Sequence, residues 1–147
     1  VGMTKALEIS YDLLEEEKSH ILNLKNYTIK QLKDNFEGVK INGNQEKTFY
    51  NILNVCMPFS EAKTSMILFN LDMKGIAISQ GSACSSGASK PSMVMMMVLS
   101  EDEMDHCTPL RISFSHMTTK AEIDALAKAL KEISSDYTIE KTNVEHR

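Results

Sequence analysis

The chain has no tryptophan, three prolines, three cysteines and no apolar run approaching a membrane span. An odd cysteine count without a CxxC pair does not make a disulfide framework, and Cys107 beside His106 lacks the usual spacing of metal ligands. Arginine is nearly absent: the sequence carries 14 lysines but only two arginines, Arg111 and the terminal Arg147. Excess positive charge is missing as well. A formal net charge of −4 argues against nucleic acid or an anionic membrane as partner. No signal-peptide pattern opens the chain, and thiols without a framework point to a reducing, cytoplasmic setting.

What is present reads as one domain of 147 residues, 42% hydrophobic and 24% charged. Apolar periodicity begins at Val1 without a capping residue before it, a pattern shared by a natural start with its initiator methionine trimmed and by a segment cut from something longer, of which the cut is the expectation. Leu7, Tyr11 and Leu14 share a helical face, and Ile21, Leu24, Ile29, Leu32 and Phe36 continue it. Residues 1–37 therefore predict one long helix, or two with a break near Glu17, ended by Gly38. Short strands are predicted at Val39–Asn42 and Tyr50–Met57, a helix from Glu61 to Leu71, and a strand opened by Gly75. Cys56, inside the second strand, is expected in the core. Pro91 suits the first position of a short helix to Leu99, whose Met93, Met95, Met96 and Met97 read as core filler rather than soft-metal ligands. Leu110–Ser115 alternates as a strand, and Thr119-Lys120-Ala121-Glu122 is a capping box before the stripe Ile123, Leu126, Ala127, Leu130 and Ile133. Residues 136–147 read as a polar, flexible tail. The fold class is α+β: a small sheet covered by helices on one side.

Two features bear on chemistry. The stretch Gly75-Ile76-Ala77-Ile78-Ser79-Gln80-Gly81-Ser82-Ala83-Cys84-Ser85-Ser86-Gly87 passes from a short apolar segment into a loop of small residues with one thiol at its middle. Gly81, Ser82, Ala83, Ser85 and Ser86 leave Cys84 nothing to bury itself against, so a mobile, accessible nucleophile is expected. The alternation of Leu110-Arg111-Ile112-Ser113-Phe114 sets Arg111 on the opposite face from the apolar residues. There it can grip a carboxylate bidentately or serve as an ordinary exposed or paired arginine.

These residues resemble the C-terminal part of a cysteine desulfurase of the long-loop group, within the class-V aminotransferase family of pyridoxal-phosphate enzymes. The resemblance runs from Val1 to about Ile133. It is carried by Asp72-Met73-Lys74-Gly75-Ile76-Ala77-Ile78-Ser79 leading into Gly-Ser-Ala-Cys-Ser-Ser-Gly, and by the Leu110–Phe114 arginine strand. It implies the small domain of a fold-type-I enzyme at residues 1–135. It implies that Cys84 is the catalytic cysteine that takes sulfur from L-cysteine as a persulfide, leaving L-alanine, and passes it to acceptors such as an iron–sulfur scaffold. Arg111 is implied to bind the substrate α-carboxylate. Complete members are homodimers more than twice this long, with the cofactor lysine upstream. No lysine here sits in that motif, so pyridoxal 5′-phosphate is expected in the full-length enzyme and not on this chain alone, which is expected to be inactive by itself. No metal site is expected. Two other readings stay open: a non-enzymatic persulfide carrier, and an interaction domain with an incidental cysteine.

Overall fold

The computed structural model describes residues 1–59, 61–80 and 107–144. Helix α1 (Gly2–Asn35) is uninterrupted through Glu17, as expected where no proline or interior glycine breaks the ladder. Only its C-terminal half is buried, through Ile21, Leu24, Lys25, Thr28 and Leu32, a stripe at i, i+3, i+4 spacing. Leu7 and Tyr11, on the apolar face of the first half, are exposed. The helix stops at Phe36, which turns extended while its amide still donates to the Leu32 carbonyl at 3.0 Å. Gly38, at φ +82°, then takes a left-handed conformation open to glycine at little cost.

Strand β1 (Lys40–Ile41) is shorter than its predicted span. It pairs antiparallel with β2 (Ile52–Met57), which pairs antiparallel with β3 (Thr108–Ser113), giving the order β1-β2-β3. Between β2 and β3 lies α2 (Glu61–Asp72), and α3 (Lys120–Val144) follows. One face of the sheet is covered. Leu53, Val55 and Met57 of β2 and Leu110, Ile112 and Phe114 of β3 share a core with Leu24, Leu32, Ile67, Leu71, Ile123 and Leu130 from the helices. The period of two turns Asn54 and Arg111 to the opposite face.

Three local readings change. The segment opened by Gly75 is not a strand. Gly75 (φ +75°) ends α2 by donating to the Asp72 carbonyl, and Ile76 donates to that of Leu71, a Schellman-type stop. The chain then meets β3 at a single antiparallel bridge, Ser79 to Arg111. Secondly, Cys56 is buried as expected but is joined to Cys107 in a disulfide, with Cα atoms 5.2 Å apart, so two of the three cysteines do form a cross-link. Neighbouring antiparallel strands bring the pair within bridging distance although 51 positions separate them in sequence. Thirdly, α3 runs past Asp136 to Val144.

The capping box forms as read. The Glu122 carboxylate accepts from the Thr119 amide at 2.7 Å, and the Thr119 hydroxyl accepts from the Glu122 amide at 3.3 Å. Two polar ties hold α3 to its neighbours. Tyr27 donates to Asp124 at 2.6 Å, a bond that raises the phenol's pKa, and Lys74 pairs with Glu132 at 2.7 Å, which lowers that carboxyl's.

Candidate functional site

Arg111 sits on the face of β3 that no described helix covers, half-buried, flanked by β2 on one edge and by Ser79 on the other. Its backbone is held from both sides. The Arg111 amide donates to the Ser79 carbonyl at 2.7 Å, and the Ser79 amide donates to the Arg111 carbonyl at 3.3 Å. Its side chain is held at one point: Nε donates to Ser79 Oγ at 3.0 Å. Among the described residues no carboxylate lies at ion-pairing distance from the guanidinium. The two terminal nitrogens, the fork that matches a carboxylate, are left for a ligand.

Asn54 is the register partner of Arg111 across β2 and β3, so both side chains leave the sheet on the same face. The Asn54 amide oxygen accepts from Asn42 Nδ2 at 2.7 Å, and the Asn42 amide donates to the Asn54 carbonyl at 2.9 Å. Arg111, Asn54, Asn42 and Ser79 therefore make one polar row on a face whose underside is apolar except for the buried Thr108. Of these, the sequence reading named only Arg111 as a site residue. The signal for Asn54 was present: it is the one polar residue inside Ile52-Leu53-Asn54-Val55-Cys56-Met57, at the parity of the uncovered face. Ser79 carried no such signal, because its role depends on a bridge between segments 32 residues apart.

Cys84, with Gly81, Ser82, Ala83, Ser85 and Ser86, lies outside the described residues, as does the methionine-rich segment after Pro91. The described residues before this segment stop at Gln80, one residue past the Ser79 bridge, and resume at Cys107. Cys107, weighed earlier as half of a Cys–His metal pair, is bonded to Cys56.

Two other polar features are already committed. A groove of about 700 Å³ is lined by His20, Tyr27, His116 and Lys120. There, His20 Nε2 donates to the Thr118 carbonyl at 3.0 Å and His116 lies 3.6 Å from Glu17. Lys25 is buried in α1, donating to Thr48 Oγ1 at 3.2 Å and the Phe49 carbonyl at 3.4 Å. Burial lowers its pKa, since the charged amine loses solvation.

Comparison with known proteins agrees with this architecture. Residues 1–126 match the family described as aminotransferase class-V. The chain is 36% identical over 124 residues to the cysteine desulfurase IscS of Vibrio cholerae serotype O1, covering 84% of this chain and 29% of that protein. It is 35% identical over 131 residues to the cysteine desulfurase IscS of Neisseria meningitidis serogroup A, covering 89% of this chain and 31% of that protein. Among solved structures, a NifS-like protein from Rickettsia africae superposes with a TM-score of 0.65 at 27% identity, covering 84% of this chain and 31% of that one. The chain thus spans less than a third of the length of these relatives.

Proposed function

Because the chain belongs to the class-V aminotransferase family, we infer that it is the C-terminal, substrate-gripping part of a cysteine desulfurase. The observation that carries this reading is Arg111. It is half-buried on the open sheet face, pinned through Nε by Ser79, with its terminal nitrogens free of any described carboxylate. A guanidinium held at one end and open at the other suits the α-carboxylate of an amino acid.

Within the reaction this chain supplies two groups. Arg111 binds and orients L-cysteine by its carboxylate, which presents the substrate sulfur at the open face. Cys84 is the acceptor: its thiolate attacks that sulfur, the S–S bond forms as the carbon–sulfur bond breaks, and the carbon takes up a proton to leave L-alanine. The product on the chain is a persulfide at Cys84, which carries sulfur to an acceptor protein such as an iron–sulfur scaffold.

Pyridoxal phosphate is the cofactor of this family, and when bound it supplies the electron sink for carbon–sulfur cleavage. The described residues do not fit it. The polar row offers one guanidinium, already spent in part on Ser79, and its members include no lysine. The buried amine of Lys25 is turned to Thr48 and Phe49. The cofactor then belongs to a separate large domain of a homodimeric enzyme.

The test is turnover. The complete protein carrying this chain, supplied with L-cysteine, should release alanine and sulfide, and the isolated chain should release neither. Sulfide from the purified isolated chain would overturn the division of labour. No alanine from the complete protein would overturn the activity.

A further inference from the structure

The polar row beside Arg111 contains a second side-chain donor, Asn54. Asn54 and Arg111 are direct cross-strand partners, which sets their side chains next to one another on the uncovered face. The Asn54 amide can rotate in principle, but its oxygen is held: it accepts from Asn42 Nδ2 at 2.7 Å, and Asn42 is anchored by its own amide to the Asn54 carbonyl at 2.9 Å. With the oxygen turned to Asn42, the amide's orientation is set and its Nδ2 hydrogens face away from Asn42 as donors. No described residue accepts from them. Arg111 is in the same condition, its Nε spent on Ser79 and its remaining nitrogens donors without a described carboxylate.

Two adjacent groups, each fixed by a partner on its far side, turn donors toward the space they share, and no described acceptor meets them. A carboxylate has about four acceptor positions on two oxygens, and a bidentate guanidinium uses two of them. We propose that Asn54 donates from Nδ2 to the α-carboxylate gripped by Arg111, making Asn54 a substrate-binding residue and Asn42 the positioning residue that sets its orientation. This rests on the reading of Arg111 as the carboxylate-binding residue and adds a second ligand contact to it.

Two substitutions in the complete desulfurase separate this role from a structural one. Asn54→Ala removes the donor and the Asn42 tie together. Asn54→Asp keeps the shape and still accepts from Asn42, but puts a negative charge where the donor was. A structural role predicts that Asn54→Ala lowers stability without moving KM, and the alanine variant carries the decision because an aspartate here would itself pair with Arg111. The ligand role predicts that aspartate is worse than alanine. For L-cysteine, Asn54→Ala should raise KM about tenfold with kcat little changed, and Asn54→Asp should raise it further. A KM for Asn54→Ala equal to that of the parent enzyme would overturn the proposal, and thermal melting of both variants shows that they are folded. Arg111→Lys, measured alongside, separates the two failures. A raised KM there with Asn54→Ala unchanged sinks only the role of Asn54. An unchanged KM in both sinks the carboxylate reading of Arg111 as well.

Discussion

Ser79 and Arg111 hold each other at four points: two between backbones at 2.7 and 3.3 Å, one from Arg111 Nε to Ser79 Oγ at 3.0 Å, and one from Ser79 Oγ to the Arg111 carbonyl at 3.5 Å. The serine therefore does for the guanidinium what it does for the strand: it fixes one end and leaves the other open. Ser79→Ala keeps both backbone bonds and removes the two made by Oγ, of which the one from Nε is the shorter. In the complete enzyme it should cost about 1 kcal/mol of substrate binding, raising KM roughly fivefold with kcat almost unchanged. Steady-state kinetics on L-cysteine check this. A fall in kcat at constant KM would mean that the tie serves something other than carboxylate binding.

The disulfide joins β2 to the residue just before β3 across a separation of 51. Closing a loop of that size restricts the unfolded chain, so reduction should lower stability by about 2–4 kcal/mol. Denaturant midpoints with and without reductant measure it. Cys56→Ser should remove the dependence on reductant, and a variant that still responds would contradict the pairing.

Lys25 gives the fold an alkaline signature. Burial lowers its pKa below the ordinary value of 10.5, so between those two values the unfolded chain holds a proton that the folded chain has released. The unfolded state binds more protons in that window, and stability contributed by this group rises with pH through it. Below the window the cost of the buried charge is present in full. The difference in unfolding free energy between wild type and Lys25→Met should therefore grow in favour of wild type as pH approaches 10.5. A difference that stays flat across the alkaline range would mean Lys25 is solvated in the folded state.

The two halves of α1 should respond differently to truncation. Leu32→Ala removes a side chain buried in the shared core and should cost about 3 kcal/mol. Leu7, 57% exposed, should cost less than about 0.5 kcal/mol when changed to alanine in the isolated chain. Chemical denaturation of both variants decides this, and equal costs would mean that Leu7 is covered.

How much of this was legible follows from the range of the forces involved. The capping box Thr119–Glu122, the unbroken α1 and the face of Arg111 are set by neighbours within a turn or a strand, and each was readable. Lys25 falls four residues after Ile21 and within the buried stripe, so its burial could have been read from spacing, though a lone charge there contradicts the usual pattern. The Cys56–Cys107 bond, the Ser79 bridge and the Asn42–Asn54 tie depend on strand register between distant segments, which composition and periodicity do not encode. Gly75 misled for a local reason. A glycine before Ile76-Ala77-Ile78 opens a strand as readily as it closes a helix, and here the free carbonyls of Leu71 and Asp72 decided for the helix stop.

The account centres on sulfur reaching Cys84 from an amino acid held by Arg111. The most direct test is mass spectrometry of the Cys84 peptide from the complete protein after incubation with L-cysteine and no acceptor. The account predicts one additional sulfur atom on Cys84, lost on reduction and absent in Arg111→Ala. Alanine formation with Cys84 unmodified, or with the sulfur on Cys56 or Cys107 instead, would contradict it.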